Sequence, residues 1–493
     1  MNEVVVGIDV GSSAVKALAF DRAGRPVRKV QRPLSALPPE PGRVELDPGH
    51  VRRQCAGALV DVLTAAEAGG SKVRCIGLAC QRSSFLLWQR DTGRPLTPVI
   101  SWQDLRAAPL CASMAEHRDR IYEKTGLPLT AHYGGPKFLW LRRHRSSLFR
   151  RLDSPGAVFS PLSSFLLHHL TGGRPAAVDE SIAGRTLLVD IAARRWDPEL
   201  IALFEMPPHL LPQIVAVCRR HGGFVFGGRT IPIECCIGDQ QAALAALGGL
   251  QQGRCVLSLG TSGGVLVDTG RTPAPAPGLL LSVARSSATE VSYAAEGTIN
   301  AVGSLFEWFE TEQHISGAAV RWDRLAADAS DGWQMIPGMF GIAAPYWRET
   351  APTVFAGEGL RLSPAVRLRA GMEAIALLIA DIVDRIQTGT ACRIDRVVAS
   401  GGAAKGPLLQ CTADLLGREV MRSAVADATA LGCAFLAGRR TGFWEPAVET
   451  GPARVETAGT FSPRISEARR RRRLSAWHRL LRQHGILDRD PSG

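Results

Sequence analysis

The sequence predicts a protein of two α/β domains, and three observations carry that reading. Its 493 residues exceed the roughly 100 to 200 that one hydrophobic core usually organises. Short β-branched runs alternate with stretches of helical periodicity up to about residue 240, the pattern of strands covered by helices. Near residue 255 the opening arrangement of strand, glycine-rich turn and strand returns in outline, as a second copy would.

The elements follow in order. Val4 to Ile8 is a buried strand that meets Asp9 and Gly11, and Val15 to Phe20 is its hairpin partner, closing on Asp21 and Gly24. Pro33, Pro38, Pro39 and Pro41 mark a loop, Pro48 to Ala68 carries apolar residues at helical intervals, and Val73 to Ala79 is the next strand. In the second half Cys255 to Leu259 and Val265 to Asp268 flank the turn Gly260 to Gly264. Gly371 to Ile386 is a long apolar helix, and Val397 to Ala399 runs into Gly401 and Gly402. Domains are expected over 1–245 and 246–463, with a basic helical tail over 464–493. A hinge is expected between residues 240 and 255, around Gly248, Gly249 and Gly253.

Composition narrows the function classes. With 45% hydrophobic residues but no run of about 20 apolar ones, the chain is not expected in a membrane. The opening MNEVVVGIDV lacks the basic region and cleavage site of a signal peptide. The 11 cysteines form no C-x-x-C pair, so they read as small buried hydrophobes in a reducing, cytoplasmic compartment. Much of the net charge of +12 sits at the C-terminus, where Arg469 to Arg473 run together ahead of Trp477, Leu480 and Leu481 at helical spacing. That is the pattern of a solvated helix with one apolar stripe, and nucleic acid is not the expected partner. The oligomeric state is left open, a homodimer included.

Four places carry chemistry. Asp9-Val10-Gly11-Ser12-Ser13 lies between two strands, where backbone N–H groups and Ser hydroxyls can approach phosphate and a carboxylate can hold Mg²⁺ through water. An ordinary hairpin turn would use the same residues. Gly260-Thr261-Ser262-Gly263-Gly264 repeats the device in the other half, and two such turns suggest phosphates held from both sides of a cleft. Asp239, in Gly238-Asp239-Gln240-Gln241, begins an alanine-rich helix and is either a cap or a general base. Gln81-Arg82-Ser83 and Trp102-Gln103-Asp104 follow buried strands, and His132-Tyr133-Gly134-Gly135 offers another wall: polar groups beside an aromatic face suit a hydroxylated ligand.

These residues resemble the FGGY carbohydrate kinases, and most closely the glycerol kinase branch. The likeness runs from Val4 to about Trp444, through GIDVGSSAVKALAFD, VELDP, QRSSFLLWQRDTGRPLTPVISWQDLR, TGLPLTAHYGGPKFLWL, HHLTGG, SIAGRTLLVDI, GDQQAAL, AAPYW and GGAAKGPLLQ. The resemblance implies two actin-like (ribonuclease H-like) α/β domains with the site between them, and ATP with Mg²⁺ as cofactors. It implies Asp239 as catalytic base, Asp9 and Asp239 as metal-associated carboxylates, and Gly11, Ser12 and Ser13 as the first phosphate loop. Gly260 and Thr261 match the second loop, Gly303 and Glu307 nucleotide contacts, and Gly402 and Gly406 the loop over the adenine. Arg82, Ser83, Trp102, His132 and Gln240 match the side chains that hold the acceptor.

Departures from the glycerol kinase pattern bear on the acceptor. Ser83 stands where that branch carries a glutamate, His132 replaces a tyrosine, and Glu307 and Gly406 replace amides or a serine. Arg348-Glu349-Thr350-Ala351-Pro352 is similar to a segment of xylulose kinases. The expected reaction is phosphorylation of a small polyol or ketose; glycerol or xylulose are alternative substrates, and a sugar-responsive binding protein that kept the fold is the rival from another class.

Overall fold

The computed structural model describes residues 2–38, 40–145, 148–149, 152, 156–173, 176–315, 332–357, 362–445 and 457–487. The first sheet contains β1 (Asn2–Val10), β2 (Ala14–Phe20), β3 (Pro26–Pro33), β4 (Ser71–Cys80), β5 (Cys218–Phe226) and β6 (Arg229–Gly238), in the order β5-β6-β4-β1-β2-β3. Strands β1, β4 and β6 are parallel, with Val10 and Gly238 both opposite Cys80. Parallel register therefore brings three strand ends, and the residues that follow them, to one level of the sheet. That is where α/β sheets place ligands.

Strand β1 shows why the sheet is covered on both faces. Val4, Val6, Ile8 and Val10 pack with Val51, Cys55, Leu59, Val62 and Leu63 of α1 (Pro48–Ala68), while Val5 points the other way into a separate core. The period of two in a strand and the helical spacing on α1 meet at one interface. Asp47 caps α1 by accepting from the N–H groups of Gly49 and His50.

The second sheet comprises β7 (Arg254–Leu259), β8 (Gly263–Gly270), β9 (Leu280–Ser286), β10 (Val291–Ile299), β11 (Arg396–Ser400), β12 (Val420–Ser423) and β13 (Thr457–Phe461), in the order β9-β10-β8-β7-β11-β12-β13. Here β7 and β11 are parallel, with Ser258 opposite Ser400. The turn after Leu259 and the turn after Ser400 consequently lie side by side, as in the first sheet.

Two helices join the sheets. α3 (Asp239–Leu247) follows the first sheet in sequence, and α7 (Ala428–Arg440) comes almost two hundred residues later. Their residues share one core with Val5, Phe20, Ala79 and Ile237 of the first sheet and Val256, Leu266 and Val398 of the second. The approach is close. A Cβ on Gly7 would lie 1.9 Å from Ala430 O, one on Gly77 2.1 Å from Cys433 O, and one on Gly432 1.8 Å from Ala242 O. Only glycine lets α7 lie this near β1, β4 and α3.

The remaining helices used below are α2 (Gly134–His144), α4 (Gly303–Thr311), α5 (Pro364–Thr390), α6 (Gly406–Leu416) and α8 (Glu467–Gln483). The expected basic helix is α8, and its stripe of Trp477, Leu480 and Leu481 is buried. Asp381 of α5 accepts from Trp477 Nε1 at 2.6 Å and lies 2.8 Å from His478 Nε2. Arg470 and Arg471 pair with Glu467, and Arg473 pairs with Glu373. Among the described residues, no helix is long and apolar enough to cross a membrane.

Candidate active site

The three parallel strand ends of the first sheet deliver Asp9 and Gly11 from β1, Gln81-Arg82-Ser83 from β4, and Asp239 from β6 and α3. Gln81 ties them together: its N–H donates to Val10 O at 2.8 Å and its Nε2 to Gly11 O at 3.1 Å. Ser84 Oγ donates to Gln81 Oε1 at 3.0 Å, and the Trp102 N–H donates to Ser84 Oγ at 3.0 Å. Trp102 Nε1 donates to Ser12 Oγ at 2.9 Å. The first glycine turn is thus held open by the residues that build the adjoining wall. Lys16 lies 3.4 Å from Asp427.

Asp239 is the first residue of α3, with Gly238 as its cap, so its carboxylate is not consumed in capping the helix. Gln240 N–H donates to Asp239 Oδ1 at 2.8 Å, and Arg82 Nε stands 3.3 Å from the same oxygen. Burial raises the Asp239 carboxyl above its ordinary value, opposed by the Arg82 charge and the Gln240 N–H. Burial also pushes Asp9 up to about 7, with the Asp239 charge adding and Lys16 opposing.

Arg82 does not present an open fork to the cleft. Its Nη1 and Nη2 donate to Glu296 of β10 at 2.6 and 2.8 Å, and Arg185 Nη2 lies 3.3 Å from the same carboxylate. Burial works to raise the Glu296 carboxyl, but the two guanidiniums override it and hold it well below the carboxylate range. The two terminal nitrogens of Arg82, expected beside the acceptor, are thus given to an acid from the other sheet.

On the acceptor side, Ser83 has φ +62° and a buried Oγ without a hydrogen-bond partner. Gln241, next to Gln240, likewise has both amide atoms buried and unpartnered. His132 stacks obliquely on Trp102, ring centroids 5.1 Å apart. Burial first, then the charges of Lys137, Arg185 and Arg82, drive its imidazolium down to about 3, so the ring is neutral near pH 7. Lys137 of α2 is completely enclosed and donates to Ser101 O at 2.5 Å and His132 O at 3.1 Å. It fastens the Trp102 loop to the His132 loop.

The second turn meets the start of α4. Gly303 N–H donates to Gly260 O at 2.8 Å, and Val302 N–H donates to Thr261 O at 2.9 Å. Ala403 N–H donates to Leu259 O at 2.9 Å, which brings Gly402 to the same rim, where a Cβ would meet open space. Gly406 opens α6, and Glu307 lies on the exposed side of α4, one turn beyond Gly303.

A divalent cation fits Asp9 and Asp239: each carboxyl is raised, and Asp239 adds to the shift on Asp9, a repulsion that a cation between them would remove. Among the described residues no cluster of three or more His, Cys, Asp or Glu could hold a metal. A hard ion kept largely by water and phosphate oxygens, as Mg²⁺ prefers, suits a pair of carboxylates better than a full protein cage would.

Sequence reasoning missed Glu296, Arg185 and Lys137. Each is a lone charge inside an apolar run, and a charge there must find a partner. That signal was present in YAAEGTI and in SIAGRTLL.

Comparisons with known proteins match the chain over most of its length. Residues 4–248 match the N-terminal domain, and residues 255–441 the C-terminal domain, of the FGGY family of carbohydrate kinases. The chain is 33% identical over 485 residues to the glycerol kinase of Symbiobacterium thermophilum, covering 97% of each. Its fold is similar to that of Plasmodium falciparum glycerol kinase with ADP, at TM-score 0.91 and 24% identity over 98% of each chain. It is also similar to that of xylulose kinase from Rhodospirillum rubrum, at TM-score 0.85 and 24% identity, covering 97% of this chain and 99% of that one.

Proposed function

The chain belongs to the FGGY family of carbohydrate kinases, and from that premise we propose that it transfers the γ-phosphoryl group of ATP directly to a hydroxyl of a small polyol or ketose. Asp239 accepts the hydroxyl proton as the oxygen attacks in line. Its position at a strand end and its raised affinity for a proton support that role. Asp9 and Asp239 would hold Mg²⁺, which when bound offsets charge on the phosphates. The turns at Gly11-Ser12-Ser13 and Gly260-Thr261 face the phosphates from the two sheets, and Gly303 and Gly402 border the nucleotide. Phosphoryl transfer draws mainly on positioning and charge stabilisation, which this arrangement of turns offers.

For the acceptor we favour a polyol or ketose longer than glycerol. The observation that carries this is Ser83, whose buried Oγ has no hydrogen-bond partner in the protein and whose side chain is shorter than the glutamate of the glycerol kinase pattern. Gln240 and neutral His132 offer further hydrogen bonds, and Trp102 offers a carbon face. The relatives named glycerol kinase and the neighbour named xylulose kinase bracket this choice. The reading of a sugar-binding protein without catalysis gains no support: both carboxylates lie at strand ends of one sheet and the sequence retains both glycine turns. Parallel kcat/KM values for glycerol, erythritol, xylitol, xylulose and ribulose test the proposal. Preference for glycerol over every longer acceptor would restore a plain glycerol kinase reading.

A further inference from the structure

Ten of the eleven cysteines are buried, and Cys218 is the exception. It opens β5 and stands opposite Cys235 of β6 in antiparallel register. Cys236 N–H donates to Val217 O at 3.2 Å, so the adjacent Cys218/Cys235 pair is the non-hydrogen-bonded kind, in which facing Cα atoms come to about 4.5 Å. Disulfides span Cα separations from about 4.4 Å upward. Both side chains of such a pair project from the same face of the sheet.

The surroundings make the two sulfurs unequal. A hydrogen bond with Cys235 and the charges of Arg285, Arg440 and Arg439 hold the Cys218 thiol below its ordinary range, whereas burial first, then Cys218 itself, pushes Cys235 well above it. Arg440 Nη1 also donates to Cys218 O at 3.2 Å, and Arg285 pairs with Asp268. Cys218 opens on a cleft of about 790 Å³ that Leu250, Asp268, Arg285 and Arg440 also line. This cleft lies at the far ends of the strands from the phosphate turns: Asp268 is near the end of β8, whereas Gly263 begins it. A small solute can therefore reach Cys218 without entering the catalytic cleft.

We propose that Cys218 and Cys235 are a peroxide-oxidised dithiol, with Cys218 the attacking sulfur and Cys235 the resolving one. The Cys218 thiolate attacks hydrogen peroxide, the O–O bond breaks, and Cys218 becomes a sulfenic acid as hydroxide leaves. The Cys235 sulfur then attacks the Cys218 sulfur; the S–S bond forms, the S–O bond breaks, and the thiol proton leaves with that oxygen as water. Two thiols lose two electrons and two protons in all, and one peroxide becomes two waters.

The test is peptide mapping of the full-length protein after graded hydrogen peroxide, with free thiols alkylated under denaturing conditions. The expected first product is one linked pair of peptides containing Cys218 and Cys235, two hydrogens lighter than their sum and separated by dithiothreitol. In Cys235→Ala, dimedone should instead label Cys218 as the trapped sulfenic acid, and in Cys218→Ala, Cys235 should stay reduced at the same dose. Oxidation spread evenly over the cysteines, or Cys218 ending as sulfinic acid in the unmutated protein without a linked peptide, overturns the proposal. Because the unmutated protein alone supplies that first reading, a variant that fails to fold does not shield it.

Discussion

Arg82 and Glu296 form a two-pronged ion pair, at 2.6 and 2.8 Å, between the end of a strand in the first sheet and a strand of the second. It is a charged tie between the two sheets, and Arg82 Nε also stands 3.3 Å from the carboxylate of Asp239. Glu296→Gln removes the charge that offsets both Arg82 and Arg185, and losing one partner of a buried pair costs about 3–5 kcal/mol. Denaturant unfolding should show a loss of that order, and the double variant Arg82→Met with Glu296→Gln should lose less than the two single losses added. Additive losses would mean that the pair does not act as a unit.

Asp239→Asn should lower kcat by about 10²- to 10⁴-fold, the usual contribution of a general base. A loss within tenfold removes Asp239 from that role. The pH dependence has a defined sign. The base works deprotonated, its carboxyl is raised by burial, and so kcat/KM should fall on the acid side above the usual aspartate range. The Arg82 charge holds that carboxyl down, hence Arg82→Gln should move the acid limb to higher pH.

Ser83→Glu restores length and charge at a position that now carries a buried, unpartnered hydroxyl. Relative kcat/KM should move toward glycerol and away from xylitol and ribulose, because a site with a missing or unmet hydrogen bond discriminates strongly. An unchanged ratio would separate Ser83 from acceptor choice.

Lys137 links the Trp102 and His132 loops from inside the protein, and burial lowers its ammonium to about 7, with Asp104 opposing and Arg106 adding. Below pH 7 the folded and unfolded chains both hold the proton, and the full cost of burying the charge is present. Between about 7 and the unfolded value near 10.4 the unfolded chain binds more protons, so this residue's contribution to stability rises, by up to about 1.4 kcal/mol per pH unit. The stability difference between the parent and Lys137→Met should therefore shift toward the parent across that window. A difference independent of pH would show that the lysine does not titrate there.

Closure of the cleft should accompany binding, since phosphates gripped from both sheets must be shielded from water. Small-angle scattering should give a smaller radius with a non-hydrolysable ATP analogue plus acceptor than without them. Identical profiles would count against closure. In the segment where a hinge is expected, Gly249 and Gly253 have φ of +76° and +81°, and a Cβ on Gly253 would sit 2.3 Å from Arg393 O.

The fold was legible where one periodicity runs unbroken. The apolar spacing from Pro48 to Ala68 matches α1 end to end, and the strand–turn–strand pattern at Val4 and again at Cys255 marks the parallel strand ends that gather the site. Asp9, Asp239 and the two glycine turns were readable because their place in that pattern is local. Glu296, Arg185 and Lys137 were not, since what makes each matter is a partner far along the chain. Arg82 is the instructive intermediate: its position could be read, but the acid that occupies it is 214 residues away.

Helix α7 has a consequence for how the protein is made. It covers the face of the first sheet opposite α1, with Cys433, Ala434, Phe435 and Ala437 enclosed among Val5, Ala79 and Ile237. A ribosome releases the strands of that sheet long before it releases residues 428–440. Through most of synthesis, an apolar face of the nascent chain stays bare, open to chaperones and to aggregation alike. A fragment stopped at residue 248 would keep α3 but lose α7 from that face, so the first sheet depends on the second half of the chain for its full cover.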